Sequence, residues 1–132
     1  MPRLLIVDDD GSFSSTLQRA FEQRGYTVRC AQSVTQAREL LNDWLPDFAV
    51  VDLCLRDAWG LALIPDIKAA SPAARVVVLT GFPSTATAVE AIKLGATHYL
   101  AKPAAVGEIE LAFVPKNGHA LIPPGEKQSA PS

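Results

Sequence analysis

The chain has 132 residues, 48% of them hydrophobic, and a formal net charge of −2. That length suffices for one domain with a real core. The lack of a basic surplus argues against nucleic-acid binding, and no apolar stretch is long enough to span a bilayer. Met1-Pro2-Arg3 leads straight into a strand-like segment, so no secretory signal is expected. Cys30 and Cys54 have neither metal nor redox spacing and read as two reduced thiols of a cytoplasmic protein.

The pattern then alternates along the chain. Arg3–Val7 is a predicted strand, and Ser12–Gln23 a helix with Phe13, Leu17, Ala20 and Phe21 on one face, closed by Gly25. Tyr26–Ala31 is a second strand. Ser33 is placed to cap a helix carrying Val34, Ala37, Leu40 and Leu41. Phe48–Val51 is a third strand, with a loop to about Gly60. Leu61–Ala70 reads as helical, although Pro65 either marks a late start or removes a backbone hydrogen bond. Arg75–Leu79 is a fourth strand, Ser84–Leu94 a helix closed by Gly95, and His98–Ala101 a short fifth strand. Ala104–Val114 is a weak last helix, interrupted by Gly107 and stopped by Pro115. Five β/α pairs with short connections predict a doubly wound α/β fold on a five-stranded parallel sheet. The segment Asn117–Ser132, with Gly118, Pro123, Pro124, Gly125 and Pro131, reads as a flexible tail or linker. One domain over 1–116 is therefore expected, with a tail over 117–132 too short for an output domain.

Polar residues stand where the apolar runs end. Asp8, Asp9 and Asp10 follow Leu4–Val7, Asp52 follows Phe48–Val51, Thr80 follows Val76–Leu79, and Lys102 lies just past Tyr99–Ala101. In an open parallel sheet ligands bind beyond the carboxyl ends of the strands, so these groups should share one crevice. Taken alone, the acidic run reads more readily as a solvated turn capping the next helix. With Asp52 beside it, carboxylates ending neighbouring strands would repel one another unless a cation such as magnesium, which takes oxygen ligands, lay between them. Lys102 alone reads as a surface lysine, but it precedes Pro103, and a cis bond there would aim its ammonium back over the sheet edge. Thr80 reads either as a plain strand end or as a hydroxyl contact for a phosphoryl group. His98 and His119 read as structural or exposed, the Ser14-Ser15-Thr16 cluster as helix surface, and Trp44 as partly buried packing. Trp59 reads either as a cover for the site or as plain surface.

Together these residues resemble the receiver domain of bacterial response regulators. The matching features are Leu4–Asp10, Val51-Asp52-Leu53, Gly60, Leu79-Thr80-Gly81, Gly95-Ala96, and Tyr99 with Lys102-Pro103, over about residues 3–112. Val51–Leu61 and Val78–Tyr99 look most like the redox-responsive regulators that carry a short Fis-like DNA-binding domain. The resemblance implies a flavodoxin-like sheet of strand order 2-1-3-4-5. It implies Asp52 as phosphoacceptor, and magnesium held by Asp8, Asp9, Asp52 and the Cys54 carbonyl. Thr80 and Lys102 would contact the phosphoryl oxygens, and Tyr99 would be the aromatic switch that follows Thr80. A sensor histidine kinase would be the donor. The face over 84–114 would meet an output partner or a second copy, and the effect would fall on transcription. Two departures stand out: Leu55-Arg56 where many receivers have Met-Pro, and the poor last helix on the signalling face. The expected module is a switch and not an enzyme. Two other readings stay open. One is an interaction module that works without phosphorylation. The other is a phosphate-ester hydrolase, which would want a second carboxylate where Cys54 stands.

Overall fold

Within the central strands the runs Leu4–Val7, Phe48–Val51 and Val76–Leu79 are apolar throughout, and their side chains alternate between two cores. Leu5, Val7, Ala49, Val51, Val76 and Val78 face one way, and Leu4, Ile6, Val50, Val77 and Leu79 the other. In the computed structural model, which describes residues 1–114, these strands are β1 (Arg3–Val7), β2 (Thr27–Ala31), β3 (Phe48–Val51), β4 (Arg75–Thr80) and β5 (His98–Ala101). All pair in parallel in the order β2-β1-β3-β4-β5. The helices are α1 (Gly11–Gln23), α2 (Val34–Leu41), α3 (Leu63–Ala70), α4 (Thr85–Lys93) and α5 (Val106–Ala112). Helices α1 and α5 supply Leu17, Phe21, Ile109 and Ala112 to one core. Helices α2, α3 and α4 supply Val34, Ala37, Ile64, Ile67 and Ala91 to the other. The expected doubly wound sheet is the observed one. The expected boundary at 116, the Pro115 stop, and the tail 117–132 with His119 lie outside the described residues.

Local sequence fixes where the helices start and stop. Asp10, Ser33 and Ser84 cap α1, α2 and α4, their side chains accepting from the N–H groups of Phe13, Gln36 and Thr87. After α1 the chain turns through Gly25 at φ 95, and after α4 through Gly95 at φ 114. Each turn closes with paired bonds to the last helical turn, Tyr26 N–H to Phe21 O and Ala96 N–H to Ala91 O among them. Pro65 is the third residue of α3, entered from a 3-10 turn at Gly60–Ala62. In the first turn its missing N–H would have no helical partner, which resolves the difficulty it posed in the sequence.

Two sequence readings need correction. Ser14 is buried and sits below β1, its hydroxyl donating to the Asp8 carbonyl at 3.4 Å, whereas Ser15 and Thr16 are on the surface as expected. Trp44 is fully rather than partly buried, with the Arg3 and Arg29 guanidinium groups over its ring. Helix α5 is short and has no side-chain N-cap, in keeping with a weak last helix. It is nevertheless anchored at its far end. Glu110 accepts from Arg24 Nη1 at 2.6 Å and from Tyr26 Oη at 2.9 Å, and Phe113 stacks on Phe48. Among the described residues, no helix is long and apolar enough to cross a membrane.

Candidate functional site

The residues past the strand ends continue the ladder hydrogen bonding of the sheet, which is what aims them. Asp8 N–H donates to Ala31 O at 3.0 Å, Asp52 N–H to Val7 O at 2.9 Å, and Lys102 N–H to Thr80 O at 2.8 Å. The backbone of each is therefore fixed by the neighbouring strand before its side chain makes any contact. The three consecutive aspartates divide their work. Asp10 is the α1 cap, Asp9 lies half-exposed at the rim, and Asp8 is buried.

Asp8, Asp9 and Asp52 each bring one carboxylate oxygen within 4.8 Å of the others. Lys102, behind a cis Lys102-Pro103 bond, donates from Nζ to Asp8 Oδ2 at 2.7 Å and to Asp52 Oδ2 at 3.2 Å. Its Nζ also lies 4.5 Å from the centre of the Phe13 ring, an arrangement that favours a cation. Asp8 Oδ1 accepts from the Asp10 N–H at 2.9 Å. Burial pushes the Asp8 carboxyl up, and the bonds from Lys102 and Asp10 only partly offset it. Burial alone would lower the Lys102 ammonium, but the bond to and charge of Asp8, followed by Asp52, outweigh that and raise it. Lys102 is therefore held as a cation.

Three carboxylates facing one ammonium leave an excess of negative charge in a pocket where Asp8 and Asp52 are 3% and 8% exposed. Oxygen donors with an unbalanced negative charge suit a hard divalent cation. The donor set Asp8, Asp9 and Asp52 thus fits the expected metal. Cys54 is two residues beyond Asp52, with an exposed thiol, and its backbone forms an antiparallel bridge with Trp59. Trp59 is half-exposed at the base of the same loop.

Thr80 is at the same edge and fully buried, and its Oγ1 accepts from the Phe82 N–H at 3.2 Å, turned into its own loop. Tyr99 is half-buried and points at α4. Its hydroxyl accepts from the Ser84 N–H at 3.2 Å and shares a 2.6 Å bond with Thr87 Oγ1. The structure thus gathers Asp8, Asp9, Asp52 and Lys102 into one cluster and leaves Thr80 and Tyr99 at successive steps away from it. Sequence reasoning missed Phe13 as a partner of Lys102. It also missed Asp57, whose carboxylate binds the start of α2, and no short-range pattern marks that pairing.

The profile of the response regulator receiver domain family matches residues 4–113. The photosynthetic apparatus regulatory protein RegA of Rhodobacter capsulatus is 45% identical over 123 residues, covering 93% of this chain and 66% of that protein. The chain thus spans about two thirds of the length of that relative. A crystal structure of a response regulator from Burkholderia pseudomallei, with a phosphorylated aspartic acid, calcium ion and citrate, superposes with a TM-score of 0.85 at 43% identity. It covers 90% of this chain and 69% of that one. The beryllofluoride-activated NtrC4 receiver domain dimer gives a TM-score of 0.79 at 36% identity, covering 86% and 93%.

Proposed function

This chain belongs to the response regulator receiver domain family, and from that premise we propose that it is the phosphoacceptor switch of a two-component system, modified at Asp52. The observation that carries this reading is the cluster itself: a buried carboxylate at the end of a central strand, two carboxylates beside it, and a cation bonded to it at 3.2 Å. The phosphorylated aspartic acid in the Burkholderia pseudomallei regulator is in keeping with it.

An Asp52 carboxylate oxygen attacks the phosphorus of a phosphohistidine on a sensor kinase. A P–O bond forms as the P–N bond breaks, and the imidazole leaves. Lys102 neutralises part of the charge on the entering group. A magnesium ion bound by Asp8, Asp9, Asp52 and the Cys54 carbonyl would neutralise the rest. Thr80 then exchanges its bond with the Phe82 N–H for one to a phosphoryl oxygen, which pulls on the loop leading to α4. Tyr99, bonded to Ser84 and Thr87 at the start of α4, follows that movement. The face that reads out the change carries a groove of about 430 Å³ lined by Ala88, Ile92, Thr97, His98 and Tyr99, with Val89 and Ile92 half-exposed beside it. A second copy or an output segment that governs transcription would bind there, within the stretch 84–114. The NtrC4 receiver dimer is one precedent for pairing of such domains. The chain is a switch and not a turnover enzyme, acts in the cytoplasm, and touches neither nucleic acid nor membrane itself.

Treatment with acetyl phosphate, with and without magnesium, tests the reading by intact mass. A metal-dependent gain of one phosphoryl group supports it. No gain would favour an interaction module that works without phosphorylation, and steady release of phosphate from aryl esters would favour a hydrolase.

A further inference from the structure

The loop between β3 and α3 holds a tether that the pocket chemistry does not use. The two stems of the loop are closed on each other. Gly60 N–H donates to Leu53 O at 2.6 Å, and Cys54 bridges Trp59. A Cβ on Gly60 would lie 1.9 Å from the Asp52 carbonyl oxygen, so the returning stem runs directly against the backbone of the phosphoacceptor. Between the stems the chain reaches out into solvent, and Leu55 alone packs partly on the core. From the exposed tip Asp57 crosses to the start of α2. Its Oδ1 accepts from the Val34 N–H at 2.9 Å, and its Oδ2 from the Thr35 N–H at 3.0 Å and from Thr35 Oγ1 at 2.7 Å. The Thr35 hydroxyl, then the Val34 and Thr35 N–H groups, hold this carboxyl down to about 2, so it stays ionised at every ordinary pH. Helix α2 already has a side-chain cap in Ser33. Asp57 takes the two N–H groups that Ser33 leaves, and in doing so ties a loop to a helix more than twenty residues away in the chain.

We propose that Asp57 is a positioning residue for the metal: by clamping the 53–60 loop to α2 it fixes the Cys54 carbonyl as a ligand, and so sets the affinity of the pocket for its divalent cation. The inference rests on the metal reading above. Residues that orient metal ligands without touching the ion commonly change affinity by about 10- to 100-fold when removed. A plain second helix cap would instead alter stability and leave cation binding alone. The clamp and the charge of Asp57 are separable, because Thr35→Val removes one of the three bonds without altering any charge.

The experiment is a magnesium titration of the whole chain, followed by the fluorescence of Trp59 at the loop stem, for the parent, Asp57→Ala, Thr35→Val and the double variant. Urea midpoints without metal are measured in parallel. We expect the magnesium dissociation constant to rise about tenfold in Asp57→Ala and by a smaller factor in Thr35→Val, with the double variant no worse than Asp57→Ala, since both changes break one clamp. Parental affinity in a folded Asp57→Ala, with only its urea midpoint lowered, would overturn the proposal. So would a weakened Asp57→Ala beside an unchanged Thr35→Val, which would mark the effect as bare charge. Should Asp57→Ala fail to fold, the affinity of Thr35→Val decides alone, a rise supporting the clamp and parity refuting it. A parent that shows no magnesium response would remove the metal reading itself, and the clamp with it.

Discussion

Replacing Asp9 by asparagine should move stability in opposite directions without and with magnesium. Among the described residues, the ion pairs of Lys102 run to Asp8 and Asp52, not to Asp9. Asp9 therefore contributes repulsion to the metal-free pocket with no bonded cation to offset it. Its oxygen is within 4.8 Å of those of Asp8 and Asp52. At that separation and an effective dielectric constant of about 20, two unit charges repel by about 3.5 kcal/mol. Asp9 is half-exposed, and solvent screening reduces the relievable part to about 1 kcal/mol. Asp9→Asn should then be more stable than the parent in chelator by about 1 kcal/mol, or about 4 °C in Tm. At a magnesium concentration about a hundred times the dissociation constant the parent gains about 2.7 kcal/mol. The variant, short of one ligand, should gain little, so the order reverses. Urea denaturation of both proteins in chelator and in magnesium reads all four values. An Asp9→Asn that is the less stable protein in chelator, or that gains as much from magnesium as the parent, would refute the reasoning.

Other outcomes follow from single contacts. Thr80→Ala should still accept a phosphoryl group, but hydrogen exchange over 81–94 should no longer change on modification; a parental exchange response would remove Thr80 from the switch. Gly60→Ala forces a methyl against the Asp52 carbonyl at 1.9 Å and should lower stability by about 1–3 kcal/mol, read as a shift in urea midpoint. Burial, then the bond to and charge of Glu110, push the Tyr26 hydroxyl up to about 12. The folded chain thus keeps a proton that the unfolded chain releases near pH 10. That contribution is complete below about pH 10 and is lost as pH rises toward 12, so Tyr26→Phe should show a flatter fall of the urea midpoint across that alkaline range.

The sheet was legible because its signal is local. Four short apolar runs, each ending in a polar residue, can hardly be anything but buried parallel strands, and the polar residues inherit their place from the strands. Asp8, Asp9, Asp52 and Lys102 converge for that reason alone. What escaped was pairing at long range. Asp57 sits in a loop with no periodic pattern, and its partners Val34 and Thr35 are 23 and 22 residues away. Ser14 could have been found: with Leu17 and Phe21 it follows the spacing of the buried face of α1, but its neighbours Ser15 and Thr16 made the cluster look polar throughout. Pro65 left two readings open, and the late start is the observed one: α3 begins at Leu63, and in its first turn the proline removes no helical bond. Helix α5 read only as weak, since the Glu110 bonds to Arg24 and Tyr26 that anchor it cross more than eighty residues.

The central claim is that Asp52 carries the phosphoryl group. Its most direct test is chemical mapping: phosphorylate the chain with acetyl phosphate in magnesium, reduce the acyl phosphate with borohydride, and locate the resulting homoserine by peptide sequencing. The account predicts homoserine at position 52 alone, and none in Asp52→Asn. Homoserine at position 8 or 9, or equal phosphorylation of the parent and Asp52→Asn, would contradict it.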